Sequence, residues 1–354
     1  MKVSTGLLAV ALYLLLVPVA VPRATQQPAK LRSAIAVDPV SAIIDALRIQ
    51  NVVALGEPHG NEQGHAFRLS LVRDPRFAAA VNDIVWECGS ARYQDVMDRF
   101  VRGEDVPDAS LRQTWRNTVG SIGVTCDLPI YEEFIRAVRA VNATLAREHQ
   151  LRVLLGDPPI DWDAIRNPVD LVKWAAVRDV HAAEVIRRDV LARGRRALII
   201  YGDMHLRRKH MGADFMTEDP GTKTRVDGRT LTEQLESATG TPVFTIWVHE
   251  AASELTALQP DIASWPVPSI TLLRGTALGA KDFAFYYPAS RDPVRPMEDK
   301  VDAILYLGPP STLTQARLSP SVCAESAYMQ IRLGRMALVG MPTERLKNYC
   351  ATVR

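Results

Sequence analysis

Residues 52–64, VVALGEPHGNEQG, decide how the chain is read, and residues 197–208, ALIIYGDMHLRR, repeat their plan. Each opens on a short apolar run without helical period, as expected of a strand buried on both faces. Each run breaks at a glycine and then delivers an acid and a histidine, Gly56-Glu57-Pro58-His59 in the first and Gly202-Asp203-Met204-His205 in the second. In an open parallel sheet, ligands bind in the crevice outside the carboxyl ends of the strands. Two such loops are therefore expected to face one pocket.

Working outward, residues 83–87 (DIVWE) and 151–155 (LRVLL) read as two more buried strands, ending at Glu87-Cys88-Gly89 and Gly156-Asp157. Apolar residues at helical spacing predict helices over 39–49, 62–72, 91–102, 131–149 and 171–193, with a short one restarting at Asp74-Pro75. Further on, 231–238 reads as helix, 243–248 and 304–307 as strands, and 323–338 as a closing helix. Residues 214–228 are expected to form an exposed loop near the pocket mouth, and proline-rich 260–296 to be irregular. Strands alternating with helices at this spacing call for an α/β fold, a mostly parallel central sheet with helices on both faces.

The composition bounds the function. With 47% hydrophobic and 23% charged residues, the 354-residue chain is an ordinary globular sequence able to bury a large core. A net charge of +2 provides no global field for nucleic acid or an anionic membrane. Met1-Lys2, the apolar run 6–21 and the small residues around 18–24 read as a secretory signal over residues 1–24. The run is 16 residues long, short of the roughly 20 a spanning helix needs. Residues 25–38 then read as a linker and 39–354 as a single domain, with no membrane span in the mature chain and a secreted or periplasmic location. In an oxidising compartment four cysteines permit two disulfides. The pairs nearest in sequence are Cys88 with Cys126 and Cys323 with Cys350, although buried free thiols fit the same positions.

Four strand ends thus deliver Glu57 with His59, Glu87, Asp157, and Asp203 with His205. A single acid after a strand often does no more than cap the next helix; the coincidence of four such ends is what points to a site. Two chemistries compete for it. A histidine can act as general base on water while a carboxylate orients its other ring nitrogen, which suits hydrolysis of an ester, lactone or amide. Alternatively His59, Glu87 and His205 hold a divalent cation, of which zinc, manganese or cobalt suit the donor types. Glu62, Arg92, Tyr93 and Arg207 are further candidates around the same crevice, the arginines for an anionic group on a small-molecule or peptide substrate. His65, His149, His181 and His249 read as structural. The chain has no G-x-S-x-G elbow, phosphate-cradling loop or dinucleotide fingerprint.

On the residues just quoted, VVALGEPHGNEQ with its acid and histidine, the later Glu87 and the histidine of YGDMHL, the chain resembles the erythromycin esterase-like family. The doubled G-x-x-H is similar more widely to the haem-uptake ChaN proteins and the Tiki and TraB group. The likeness covers roughly residues 51–208 and the final strand. It implies an α/β fold with one pocket, in which Glu57, His59, Glu87 and His205 match the family's site positions. Its members differ in chemistry: the esterases are understood to use a histidine-activated water, the Tiki members a metal, and ChaN binds haem. A hydrolase is therefore expected first, and a haem- or metal-complex-binding protein without turnover second, with Tyr93 or Tyr201 as axial ligand.

Overall fold

In a computed structural model, which describes residues 31–120, 122–209, 216–218, 225–249, 259–283 and 295–353, the run at the head of the first quoted stretch is the middle of the sheet. Strand β1, Val52–Gly56, has a parallel neighbour on either side and is buried at every position because both faces of the sheet are covered. The other strands are β2 (Asp83–Ser90), β3 (Arg152–Asp157), β4 (Ala197–Tyr201), β5 (Phe244–Val248), β6 (Ser269–Leu272) and β7 (Ala303–Tyr306). Their spatial order is β3-β2-β4-β1-β5-β7-β6. All neighbours are parallel except β6, which runs antiparallel to β7 at the edge.

Alternate residues of the central strands feed two apolar layers, as the two-residue period of a strand requires. Val53, Leu55, Ile84, Trp86, Val153 and Leu155 pack under helices Pro39–Ile49, Glu62–Arg73, Gln94–Val101 and Pro129–Asn142. Val52, Ala54, Val85, Leu154 and Ile199 pack under helices Arg178–Asp189 and Leu231–Thr239 on the other face. The expected architecture is therefore present, and no described helix is long and apolar enough to cross a membrane. Local chemistry sets the helix starts. Asp38, Asn61 and Asp74 each accept a backbone N–H two or three residues on, and Thr230 with Glu233 forms a capping box.

Several boundaries differ from expectation. The helix expected over 171–193 is two, Pro168–Ala175 and Arg178–Asp189, so that Arg178 and Asp179 begin a new helix instead of lying inside one. The helix expected to run to His149 stops at Asn142, whose side-chain amide bonds Val101 O, Leu151 O and Leu151 N–H and holds the chain end there. A helix at Asp108–Arg116 was not anticipated. Within 214–228, Met216–Glu218 and Arg225–Asp227 pair as an antiparallel ribbon. The irregular 260–296 stretch contains β6, and the closing helix breaks at Glu325 into Pro320–Ala324 and Ser326–Leu338.

The expected signal, residues 1–24, lies outside the described residues. In the described part of the expected linker, Val37 exchanges backbone hydrogen bonds with Ile270 (2.9 and 3.0 Å) and so covers the edge strand β6. From Arg32 onward the chain forms one compact unit. Both nearest-neighbour cysteine pairs are bonded. Cys88–Cys126 ties β2 to the turn before helix Pro129–Asn142, and Cys323–Cys350 ties helix Pro320–Ala324 to helix Glu344–Thr352, with Cα separations of 5.5 and 5.2 Å.

Gly56 shows how tightly the end of β1 meets the second loop. A Cβ there would lie 1.7 Å from Asp203 Oδ1 and 3.1 Å from the carbonyl oxygen of Ile246. Gly56→Ala is therefore expected to destabilise the protein by roughly 1–3 kcal/mol, as overpacking does, and to shift the urea midpoint downward. An unchanged midpoint would show that the two loops have room to separate.

Candidate active site

The two quoted loops leave the sheet side by side, because β1 and β4 are direct neighbours and the Glu57 N–H continues their ladder to Tyr201 O at 2.8 Å. Glu57 is buried at 4% exposure. Its Oε2 lies 2.5 Å from His59 Nδ1, the Tyr131 hydroxyl donates to it at 3.2 Å, and Arg68 Nη2 donates to Oε1 at 3.3 Å. The imidazole of His59 is thus oriented through Nδ1, leaving Nε2 directed away from Glu57. His59 is also the open member of the group, with 41% of its side chain exposed.

Glu87 comes from β2, the far neighbour of β4, and reaches the same point. Its Oε2 accepts the Gly202 N–H at 2.6 Å, and its Oε1 accepts Arg178 Nη2 at 2.8 Å. That Oε1 lies 3.4 Å from His205 Nε2 and 3.9 Å from His59 Nε2. Both imidazoles therefore turn the same nitrogen toward one carboxylate oxygen. His205 is held from behind as His59 is, its Nδ1 lying 2.5 Å from Asp179 Oδ1. A Cβ on Gly202 would stand 3.3 Å from both Glu87 Oε2 and His59 Nε2, so a side chain there would press on both.

Asp157, at the end of β3, is one step further out. Its Oδ1 accepts Arg178 Nε at 2.8 Å and its Oδ2 accepts the Val119 N–H at 2.5 Å, so it anchors the guanidinium that bonds Glu87. The electrostatics follow from this packing. Burial alone would raise Glu57 and Glu87, but the neighbouring histidines and arginines outweigh it, and both carboxyls sit below their usual range, Glu87 well below. Burial alone would lower the imidazoles. The facing carboxylates reverse that, pushing His59 up to about 9 through Glu57 and Glu87, and His205 up to about 10 through Asp179 and Glu87.

The structure brings Glu57, His59, Glu87, Asp157 and His205 together, and corrects other expectations. Glu62 is exposed on its helix, and its carboxylate accepts from the Thr314 hydroxyl at 2.5 Å. Arg207 is 3% exposed and donates to Met204 Sδ, because the turn of Asp203–Leu206 folds it inward, so it is not offered to a ligand. Arg92 and Tyr93 line a separate cavity of about 250 Å³ that includes none of the four central residues. There Arg92 pairs with Asp161 at 3.4 Å and the Tyr93 hydroxyl accepts from Asn117. Asp203 packs on Gly56 and opens the turn in which the His205 N–H bonds Gly202 O at 2.9 Å.

Sequence reading missed Arg68, Tyr131, Arg178 and Asp179. Arg68 was legible as a charge on the buried side of a helix, where an unpaired arginine is rare. Arg178 and Asp179 were hidden by the apparent continuity of their helix. Among the described residues no group of three or more His, Cys, Asp or Glu is placed to hold a metal ion. The proposed triad of His59, Glu87 and His205 carries a guanidinium in its midst, Arg178 Nη2 on Glu87 and Nη1 3.5 Å from His205 Nε2. A cation already stands beside the shared oxygen.

A search of solved structures finds the same architecture. An erythromycin esterase mutant in its open conformation superposes with a TM-score of 0.52 at 12% identity, over 78% of this chain and 94% of that one. The fold is that of erythromycin esterase. A succinoglycan biosynthesis protein shares it with a TM-score of 0.54 at 8% identity, over 81% of this chain and 96% of the other. No family model matches the sequence, and no curated protein matches it.

Two outcomes test this charge arrangement. Arg178→Met leaves Glu87 and Asp157 buried without their shared counter-charge and is expected to cost about 3–5 kcal/mol in chemical denaturation; a loss under 1 kcal/mol would mean the carboxylates find other partners. Because His59 and His205 are raised when folded, their contribution to stability is complete below the unfolded histidine value of about 6.5. It disappears as pH climbs through about 9 to 10. The denaturation midpoint should fall over that window in the native chain and fall less in His205→Asn.

Proposed function

We propose that the chain is an exported hydrolase that cleaves an ester, lactone or amide bond with water activated by His59. The observation that carries this reading is the buried Glu57 carboxylate on Nδ1 of a His59 whose side chain is 41% exposed, beside a second oriented imidazole and a guanidinium. A carboxylate behind an imidazole sets its tautomer and stabilises the imidazolium that forms on proton uptake.

In this scheme His59 Nε2 takes a proton from water as the oxygen attacks the substrate carbonyl. The imidazolium of His205 and the Arg178 guanidinium supply N–H donors for the oxyanion that develops, and low local dielectric makes such donors effective. His59 then returns its proton to the leaving oxygen or nitrogen. Glu87 touches no substrate here; it keeps His205 charged and Arg178 in place. The donor set does not fit a metal, because the Glu87 oxygen that both imidazoles approach is already paired with Arg178, and no step is routed through one. Haem fits no better: Tyr201 is 1% exposed, and the Tyr93 hydroxyl is tied to Asn117.

Fold likeness to an erythromycin esterase supports the ester-cleaving class, and two disulfides support export to an oxidising compartment. The experiment is a survey of esters, lactones and peptides with the purified chain. His59→Ala should lower kcat/KM by about 10²–10⁴-fold, the range general-base removal gives, with circular dichroism unchanged and activity indifferent to chelators. Since His59 must be unprotonated and His205 protonated to act, the rate should rise with pH toward about 9 and fall above about 10. Full activity in His59→Ala, or loss on chelation, would overturn the reading.

A further inference from the structure

A cavity of about 540 Å³ at the other end of the sheet plays no part in the site above. Arg152 opens β3, Arg195 precedes β4, and Asp83 opens β2, so this cavity lies at the amino ends of the strands. Five or six strand residues at about 3.3 Å each place it roughly 15–20 Å from the histidines. Its lining is Val101, Arg102, Arg147, Glu148, Gln150, Leu151, Arg152, Arg193 and Arg195, which is five arginines against one acid.

The arginines are arranged in two ways. Arg152 donates through Nε and Nη2 to Asp98, both at 2.9 Å, and Arg195 does the same to Asp83 at 2.7 and 2.6 Å. A guanidinium carries five N–H groups in a rigid fork. Pairing along the Nε edge therefore pins the plane and leaves Nη1 over, and among the described residues no hydrogen bond runs from Nη1 of either residue. Arg102 and Arg147 are exposed and, among the described residues, make neither an ion pair nor a side-chain hydrogen bond. Arg193 pairs with Asp189 at 3.0 Å while 58% exposed. Arg102 and Arg147, which have no counter-charge among the described residues, thus share one lining with two guanidiniums whose Nη1 donors are unused, and the like charges of the unpaired pair repel. An anion bridging them removes that repulsion.

We propose that this cavity binds a small molecule bearing two or more linked phosphate groups. Phosphate oxygens match the guanidinium fork bidentately, and the volume falls in the range of small-molecule sites. A single carboxylate would satisfy one of the two unpaired arginines and leave the other. A free phosphorylated metabolite and a phosphorylated lipid headgroup share this chemistry, and the test separates them.

Inorganic pyrophosphate would be titrated into the full chain by calorimetry, and co-sedimentation run with phosphatidylcholine vesicles containing phosphatidylinositol bisphosphate. The expected result is saturable 1:1 pyrophosphate binding, weakened at least tenfold in Arg102→Gln/Arg147→Gln and weakening with added salt. His59→Ala should bind as the native chain does, which separates this cavity from the histidine cluster and lets it stand if the hydrolase reading fails. Vesicle binding lost in the double variant would assign the phosphates to a headgroup. Absence of saturable binding to either probe at millimolar concentration, or equal affinity in the double variant, would overturn the proposal. Both arginines are exposed, so circular dichroism should confirm a folded variant.

Discussion

Ionised carboxylates taken out of water at the end of a sheet must be answered by positive charge, and that requirement organises the centre of this molecule. Glu57, Glu87 and Asp157 are all under 10% exposed. An unanswered carboxylate in such surroundings would protonate or draw in water. Here Arg68 answers Glu57, and Arg178 answers Glu87 and Asp157 together. The histidines complete the balance, which is why their protons are held far above the usual imidazole range. The cluster is thus one connected network in which moving any member changes the electrostatic surroundings of the others.

Topology makes the network possible. The chain lays down β1, steps outward to β2 and β3, and returns to insert β4 between β2 and β1. Three consecutive neighbours in space then present their carboxyl ends together although they are distant in sequence. Gly56 and Gly202 let the two loops approach to van der Waals contact, and Tyr131 and Arg68 arrive from helices of one layer while Arg178 and Asp179 arrive from the other. The cluster is therefore clamped from both faces of the sheet. The amino ends carry a different chemistry, a hollow lined by five arginines of which three are paired with aspartates.

Much of this was written locally. An apolar run with no helical period, broken by glycine, specifies a buried parallel strand wherever it stands, because burial on both faces leaves no alternation to preserve. The same runs end in Glu57, His59, Glu87, Asp157 and His205, so the α/β class and the core of the site could be read from spacing alone. So could the helix caps at Asp38, Asn61 and Asp74, which depend only on residues two or three positions away.

What the sequence could not determine was who answers whom. Glu62, Arg92, Tyr93 and Arg207 lie close to the motif in sequence, yet folding turns them outward, into a side cavity, or beneath a turn. Arg68, Tyr131, Arg178 and Asp179 lie further away or inside an apparently unbroken helix, yet they hold the carboxylates and imidazoles in place. The reason is one of range. Strand burial and helix capping are settled by a residue's near neighbours, whereas neutralising a buried charge needs a partner brought from any distance, and only the completed packing of both helical layers selects that partner.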